Sequence, residues 1–365
     1  MKKRSQIKLT QLRLIVVAWL LVGLFMSVYD HLVLHTANSQ GPSELYSFEF
    51  SLILNLGSAF LGALLGGSFL VFYVNVKYPD KPYRKTILAV GTSYLLIILF
   101  IMLVIGVISV QIRTGKSFSD PVAQQAFKLF LLDSSRAKNI LVWFLVVAFT
   151  QFLLQINTKL GPGELYNLIQ GKYHTALEEK KIFMFLDINA STSIAEQLGD
   201  EQYHEFLKDF FADITNPILD NKGEIYQYVG DEVVVAWQYE NGIENSQCLR
   251  CFFDIKQQIQ HNRAKYLHRY GVVPSFKAGL HCGKVVAGEV GILKRDVTYS
   301  GNVLNTTSRI QSMCKEFKEE VIASADLLAE LCLVNNFVAQ TLGSIKLRGK
   351  EQEIVLSTVK PFTLL

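Results

Sequence analysis

Four long stretches without a charged residue constrain this chain more than any other feature of its sequence. They span residues 14–29, 51–76, 86–111 and 139–158. A helix needs about 20 apolar residues to cross the ~30 Å hydrocarbon core of a bilayer. The first stretch reaches this length only if its helix continues past Arg13 and Asp30. No small-residue cleavage site follows it, so we interpret it as a retained anchor and not as a signal peptide. The sequence predicts four transmembrane helices within residues 1–158.

Basic residues flank these stretches unevenly, and this pattern sets the predicted topology. Residues 1–13 contain five Lys or Arg, the loop at 30–50 contains none, and the loop at 77–85 contains four. Because cytoplasmic loops are enriched in Lys and Arg, we predict a cytoplasmic N-terminus. The third loop, residues 112–138, carries five basic residues and conflicts with this rule. Four spans nevertheless return the C-terminal half to the cytoplasm, whereas three would export it.

The two halves of the chain differ in charge. Residues 1–160 hold 15 basic and 6 acidic side chains (+9), and the remainder holds 21 and 26 (−5), for a formal net charge of +4. This balance excludes a nucleic-acid-binding protein by charge alone. All five cysteines lie in the acidic half, which favours a reduced cytosolic domain without disulfides. Cys248 and Cys251 have no second ligand pair, so we predict no zinc site.

After the spans, the pattern changes to that of a mixed domain. The helix-breaking run Gly161-Pro162-Gly163 places a linker at residues 159–180. The elements predicted beyond it are a buried strand at 181–188, a helix at 201–219, two strands around a Gly-Asp turn in 224–238, a long helix at about 243–269, strands within 275–291 and 295–301, a helix at 302–316 and a strand pair at 343–359. This order predicts one α+β domain in residues 181–365.

Two carboxylates end apolar strands of this domain, Asp187 after one strand and Asp231 in the hairpin turn. Side chains presented in this way can hold divalent cations, although either aspartate alone is more typical of a strand end or a hairpin corner. Ser191 and Thr192 follow at the start of a helix. Its free N–H groups suit a phosphate, and simple capping by these hydroxyls is compatible with that role.

A third candidate element is GNVLNTTSRIQ, residues 301–311. Asn305 and Arg309 are four residues apart and therefore share one face of a helix. Arginine beside an amide suits charge that develops on a transferring phosphoryl group. Such a pair on its own is more often an ordinary helix surface.

Together these motifs resemble, in order and spacing, the catalytic domain of the class III adenylate and guanylate cyclases. The resemblance covers about residues 178–359. FLDINASTSIAE resembles that family's first metal motif, YVGDEVVVAW its second, GLHCGKVVAGEVG its central hairpin and DVTYSGNVLNTTSRI its transition-state helix. The segment at 159–180 is similar to the family's transducer linker. The fold class expected is an α-helical membrane domain of four transmembrane helices followed by an α+β nucleotidyl cyclase domain.

The resemblance implies a two-metal mechanism. Asp187, Asp231 and the carbonyl of Ile188 would bind two Mg²⁺ or Mn²⁺ ions, Asn305 would orient the ribose, and Arg309 would stabilise the α-phosphoryl group. Lys350 matches a triphosphate-binding lysine of the family. In this family the metals and the Asn/Arg pair meet across a head-to-tail dimer, so one catalytic domain per chain implies a homodimer.

The residues that would select the base depart from both family patterns. Gln227 stands where adenylate cyclases commonly have Lys and guanylate cyclases have Glu. Thr298 stands where adenylate cyclases have Asp or Thr and guanylate cyclases have Cys. An amide both donates and accepts hydrogen bonds. Because Thr298 is an adenylate-type residue and neither guanine marker is present, we expect ATP as substrate, with GTP as the alternative.

These observations predict a multi-pass adenylate cyclase of a bacterial inner membrane, with the bilayer as a further partner and the catalytic domain in the cytoplasm. A catalytically silent nucleotide-binding or dimerisation module is one alternative, and retention of all four motif residues argues against it. A transporter with a regulatory domain is the other, and the near absence of intramembrane charge argues against that.

Overall fold

The structure is a computed structural model, and it describes residues 2–37, 47–74, 83–132, 134–161, 167, 170–293, 295–333, 337–346 and 353–362. The chain divides into two compact units. The helical unit is Ser5–Pro162, and the α+β unit is built mainly from Gly163–Leu365. Lys350 lies outside the described residues, as does part of the predicted linker.

The helical unit contains the four predicted spans. Its helices are α1 (Lys2–Ala37), α2 (Phe48–Gly62, continued by π-helical turns at Ala63–Gly67 and Phe69–Val74), α3 (Tyr83–Thr114), α4 (Pro121–Leu132) and α5 (Ser134–Leu160). Four segments are long and apolar enough to cross a membrane: Ser5–Val33, Phe48–Val74, Val90–Thr114 and Ala137–Asn157. Helix α1 runs past Arg13 and Asp30, as the length of the first stretch requires. The predicted four-helix architecture is therefore confirmed.

The third loop contains a helix, α4, that the sequence did not predict because its apolar run is too short to span a membrane. Three of the basic residues that conflict with the topology rule have partners here. Lys138 forms an ion pair with Asp30, Lys116 lies 3.3 Å from Asp120, and the Arg113 guanidinium lies 4.8 Å from the centre of the Phe50 ring. Two of the five positive charges of the loop are thus paired with a carboxylate. The side of the membrane on which it lies stays a prediction.

The α+β unit consists of one sheet with helices packed on it. Its elements are β1 (Leu177–Ile188), α6 (Ser191–Leu198), α7 (Asp200–Asp220), β2 (Glu224–Val229), β3 (Glu232–Gln238), α8 (Tyr239–Ile243), α9 (Gln247–His261), α10 (Arg263–Tyr270), β4 (Phe276–Val290), β5 (Asp296–Ser300), α11 (Asn302–Phe317), β6 (Val321–Ser324), α12 (Ala325–Glu330), β7 (Phe337–Lys346) and β8 (Glu353–Pro361). The strand order is β2-β3-β1-β4-β6-β8-β7, with β5 paired to β4. This mixed sheet confirms the predicted α+β class.

Strand β1 lies inside the sheet and pairs antiparallel with β3 and β4. Its alternate side chains face opposite ways. Ile182, Met184 and Leu186 join the large core under α7 and α9. Phe183 and Phe185 lie on the other face, with residues of α11. Asp187 follows them at the same spacing, so it lies on the α11 face.

Two parts of the predicted order differ from the structure. The helix expected at 243–269 is broken, because Asn245 and Ser246 adopt left-handed backbone conformations (φ 51° and 54°) and α9 starts only at Gln247. Strand β6 was not predicted, because four residues are too few to show a period. It pairs parallel to β4 and antiparallel to β8, and so joins the C-terminal strands to the rest of the sheet.

We expect Gly279→Ala, in β4, to destabilise the α+β unit. A Cβ added there would lie 2.3 Å from the backbone nitrogen of Gln311 in α11, so the helix would have to move. Overpacking of this kind costs about 1–3 kcal/mol. Gly288→Ala on the same strand is the matched control, because its Cβ would meet Ala176 at an ordinary 3.4 Å.

Thermal unfolding of these variants can be followed with a thiol-reactive dye. All five cysteines lie in the α+β unit and four of them are buried, so the dye reports on this unit alone. Equal unfolding temperatures for Gly279→Ala and the wild type would contradict the tight contact between β4 and α11.

Candidate active site

A row of charged side chains crosses the sheet at the end of β1. Asp187 pairs in register with Glu232 of β3 on one side and with Lys277 of β4 on the other. Residues directly opposite on neighbouring strands share a face, so all three lie on the α11 face. Asp231 precedes Glu232 in the hairpin turn, where Gly230 has a φ of +64°. The two aspartates predicted from separate motifs are therefore brought together.

The Asp187 carboxylate has two further partners in the chain. Lys277 Nζ lies 3.1 Å from its Oδ2, and Gln311 Nε2 of α11 donates a hydrogen bond of 3.1 Å to the same oxygen. Burial raises the pKa of Asp187, and the nearby Asp231 raises it further, while Lys277 acts in the opposite direction. The net shift is upward, chiefly because the carboxyl group is half-buried.

Glu232 adds a third carboxyl group to the cluster. Burial, followed by the charges of Asp187 and Asp231, raises its pKa to about 7. Three carboxyl groups facing one lysine leave a site that favours a divalent cation. Among the described residues, no three His, Cys, Asp or Glu side chains are already gathered into a metal cage. Magnesium sites that also bind substrate phosphates need only one or two carboxylates, so the residues present fit such an ion.

The predicted phosphate-binding segment follows Asp187 directly. Helix α6 starts at Ser191, but its N-cap residue is Ala190 in a left-handed conformation (φ 54°), and no side chain caps it. Capping by the hydroxyls of Ser191 and Thr192 was therefore a wrong expectation. The first N–H groups of α6 keep their capacity for an external acceptor. The side chain of Ile188 is buried, so only its backbone carbonyl is suited to the predicted role of a metal ligand.

Asn305 and Arg309 lie on the side of α11 away from Asp187. Gln311 of the same helix contacts Asp187, and Arg309 is two residues away, a rotation of about 200° around the helix axis. Asn305 is exposed and Arg309 half-buried. A single chain therefore does not bring the Asn/Arg pair and the two aspartates into one site.

The two residues predicted to read the base lie on strands that adjoin through aromatic rings. Tyr226 and Tyr299 have ring centroids 4.9 Å apart, and Gln227 and Thr298 are their sequence neighbours. Gln227 is exposed, which suits contact with a ligand. Thr298 Oγ1 lies 3.5 Å from the carbonyl oxygen of Gly288.

Reasoning from sequence missed three residues of this cluster: Glu232, Lys277 and Gln311. Glu232 directly follows Asp231 in the sequence. It could have been found by asking which residue of the neighbouring strand lies opposite Asp187. Lys277 and Gln311 reach Asp187 only through strand pairing and helix packing, about 90 and 124 positions along the chain. No local pattern signals such a contact.

A family model described as the adenylate and guanylate cyclase catalytic domain matches residues 175–359, just over half of the chain. The chain belongs to this family. Adenylate cyclase 2 of Rhizobium meliloti is 36% identical over 205 residues, which cover 56% of this chain and 56% of that protein. An adenylate cyclase of Anabaena cylindrica is 26% identical over 208 residues, 55% of this chain and 40% of that one. The chain thus spans about half the length of the curated relatives it matches.

A solved structure of a bacterial light-regulated adenylyl cyclase gives a TM-score of 0.52 at 22% identity. The match covers 60% of this chain and 63% of that one. At this level of identity the likeness shows the shared fold. The match to the cyclase family therefore covers the α+β unit.

We expect the α+β unit to lose stability as the pH rises from about 5 to 8 in metal-free buffer, because of Glu232. Its pKa is about 7 in the folded protein against an ordinary 4.5, so the folded state holds a proton that the unfolded state releases. Its stabilising contribution is complete below the ordinary pKa and is lost as the pH rises through the folded value. Glu232→Gln should flatten this dependence.

Unfolding temperatures measured by circular dichroism across this pH range provide the test. Glu240→Gln, an exposed carboxyl in α8, is the control and should keep the wild-type dependence. Addition of Mn²⁺ at the upper end of the range should raise the unfolding temperature of the wild type. Identical pH profiles for the wild type and Glu232→Gln would show that the pKa of Glu232 is not raised in the folded protein.

Proposed function

We propose that this chain is a membrane-anchored nucleotidyl cyclase that converts ATP into 3′,5′-cyclic AMP and pyrophosphate. The observation that carries the proposal is the pairing of Asp187 with Asp231, in a cluster more negative than Lys277 neutralises. The cluster lies inside a unit that belongs to the cyclase family. The two relatives described above are named adenylate cyclases, which favours ATP.

Asp187, Asp231 and the Ile188 carbonyl would hold two divalent ions, Mg²⁺ or Mn²⁺. Such ions, when bound, help to ionise the ribose 3′-hydroxyl and neutralise the triphosphate. The chain contributes further positive potential of its own. Lys277 lies beside the same carboxylates, and the uncapped N-terminus of α6 begins four residues after Asp187. Both suit the triphosphate, to which Lys350 would also bind.

Two copies of the chain would complete each site. Asn305 and Arg309 lie across α11 from the aspartates, so they are placed to serve the aspartates of a second copy. The hairpin between β4 and β5 supports an interface, because Ile292 and Leu293 at its tip are 92% and 104% exposed. Apolar side chains this exposed are stabilised when a partner covers them. A homodimer with two equivalent sites follows from this arrangement.

Within such a site the chain positions its substrate more than it reacts with it. Asn305 would orient the ribose so that the 3′-oxygen faces the α-phosphorus, and Arg309 would spread positive charge over the α-phosphoryl oxygens. The new bond from the 3′-oxygen to phosphorus closes the ring as the bond to the pyrophosphate oxygen breaks. Orientation and charge stabilisation can each contribute several kcal/mol to a step of this kind.

Gln227 and Thr298 would select the base, because they stand at the positions where cyclases of this family read the purine edge. The Gln227 amide can rotate to exchange its donor and acceptor, so it discriminates less sharply than lysine. We therefore propose ATP as the preferred substrate with measurable turnover of GTP.

The helical unit would hold this enzyme in the inner membrane of a bacterium. With four candidate spans and a cytoplasmic N-terminus, the α+β unit would lie on the cytoplasmic side, where ATP is available. In this topology the loops at residues 30–50 and 112–138 lie on the side of the membrane away from the cytoplasm. Asp30 and Lys138 belong to these two loops, so their ion pair is consistent with it.

Our first test of the proposal uses two inactive variants, Asp187→Ala and Arg309→Ala. Alone, each should lose more than about 100-fold in turnover, since loss of even an outer partner of a metal ligand costs 10–100-fold. Co-expressed at equal levels, they should recover about a quarter of wild-type activity, because half of the dimers are mixed and each of these has one intact site. No recovery in dimers shown to be mixed would contradict the shared site.

The product identifies the function and the base together. Purified full-length protein with Mn²⁺ should release cyclic AMP from ATP, and cyclic GMP from GTP more slowly. Gln227→Lys should sharpen the preference for ATP, because a wrong base would leave a buried donor unpaired at about 1–3 kcal/mol. Gln227→Glu combined with Thr298→Cys should shift it towards GTP. A wild type that favours GTP, or variants with unchanged preference, would overturn the assignment of the base pocket.

A further inference from the structure

A cavity lies between the helices of the helical unit, apart from the candidate active site. Its volume is about 90 Å³, and residues of all five helices line it. The indole rings of Trp19 in α1 and Trp143 in α5 form one part of its wall, with centroids 5.6 Å apart. The Trp19 N–H donates a 3.0 Å hydrogen bond to Thr150 Oγ1, which holds that ring in place.

The lining of this cavity is mixed in polarity but carries no charge. Most of it is isoleucine and aromatic surface, and Asn55, Ser58 and Asn139 add polar atoms. Asn55 donates 3.0 Å to Ser27 Oγ, and Ser58 donates 2.7 Å to the Leu54 carbonyl. Within the described part of the chain, the Asn139 amide has no side-chain partner. The half-buried Asn139 amide therefore keeps its capacity to bond to a polar group of a ligand.

The helix geometry beside the cavity is also unusual. Helix α2 changes to π-helical turns directly after Gly62, a lining residue. Such turns leave backbone carbonyls without their regular partner and occur frequently at functional sites. The hydroxyl of Tyr94, another lining residue, donates to the Gly66 carbonyl in the first of these turns. The irregular segment is thus tied to the cavity wall.

We propose that this cavity is a binding site for a small, neutral, apolar molecule that carries one hydroxyl or carbonyl group. The volume of about 90 Å³ is smaller than that of a 150 Å³ cavity that holds benzene, so the ligand is a compact molecule of about the size of benzene or less. A charged ligand is disfavoured because no lining side chain is charged and burying an unpaired charge is expensive. The hydrogen-bonding group of the ligand meets the Asn139 amide.

Tryptophan quenching by 2,2,2-trichloroethanol tests this site in the full-length protein in detergent. Trp19 and Trp143 are two of the three tryptophans, and the third, Trp237, is buried in the α+β core. Quenching should be saturable and should affect at most the two lining residues. 1,1,1-Trichloroethane, which lacks the hydroxyl, should bind about 3- to 10-fold more weakly, the range that one hydrogen bond supports. Trichloroacetate should give no saturable quenching.

Variants separate the cavity from general partitioning into detergent. Ser58→Leu fills the cavity and removes only a bond within α2, so it should weaken trichloroethanol binding at least 10-fold. Ser51→Leu, on the same helix but outside the cavity, should bind as the wild type does. Asn139→Ala should bind both chlorinated probes with nearly equal affinity. Circular dichroism confirms that each variant keeps its helices.

Two results would overturn the proposal. The first is quenching that rises linearly with concentration and is equal in the wild type and in Ser58→Leu, which indicates partitioning alone. The second is saturable binding of trichloroacetate, which indicates a charged ligand class. Neither depends on cyclase activity, so this inference and the proposed function fail or succeed separately.

Discussion

Crowding of negative charge at the end of β1 is the constraint on which the α+β unit depends. Asp187, Asp231 and Glu232 face one lysine, and burial prevents water from screening them. Repulsion among these carboxylates lowers the stability of the folded protein, and a bound cation would offset that loss. Under the proposed function, a divalent cation with a triphosphate would supply the missing charge. The sheet holds these groups in position because β1 has a neighbour on each side, and each neighbour contributes one of the charged residues.

Helix α11 divides its faces between two tasks. One face packs closely on β4, where Gly279 leaves no room for a side chain, and its Gln311 holds Asp187. The opposite face presents Asn305 and Arg309. A rigid helix cannot direct both faces at one site, so the geometry that positions the aspartate also excludes the Asn/Arg pair from it. Under the proposed function, pairing with a second copy would resolve this conflict and would make association a requirement for the reaction.

The helical unit has an interior that a simple anchor does not need. Hydrogen bonds among polar side chains, π-helical turns and a cavity with polar lining atoms all occur between its helices. The ion pair of Lys138 with Asp30 shows that the same unit satisfies its charged groups near the ends of the spans. A cavity retained between the spans gives this unit a capacity for binding that is independent of the catalytic chemistry.

The sequence by itself determined the features that depend on local pattern. Charge-free runs of sufficient length predict the four spans. A continuous apolar run predicts β1, β-rich runs around a Gly-Asp turn predict β2 and β3, and motif order predicts the aspartates and the Asn/Arg pair. The long helix at 243–269 was wrong because Asn245 and Ser246 leave the helical conformation without Gly or Pro to signal it. Only the tertiary structure decided that Lys277 and Gln311 meet Asp187. Strand register and helix packing join residues far apart in the chain, and no periodic pattern records which of them will meet.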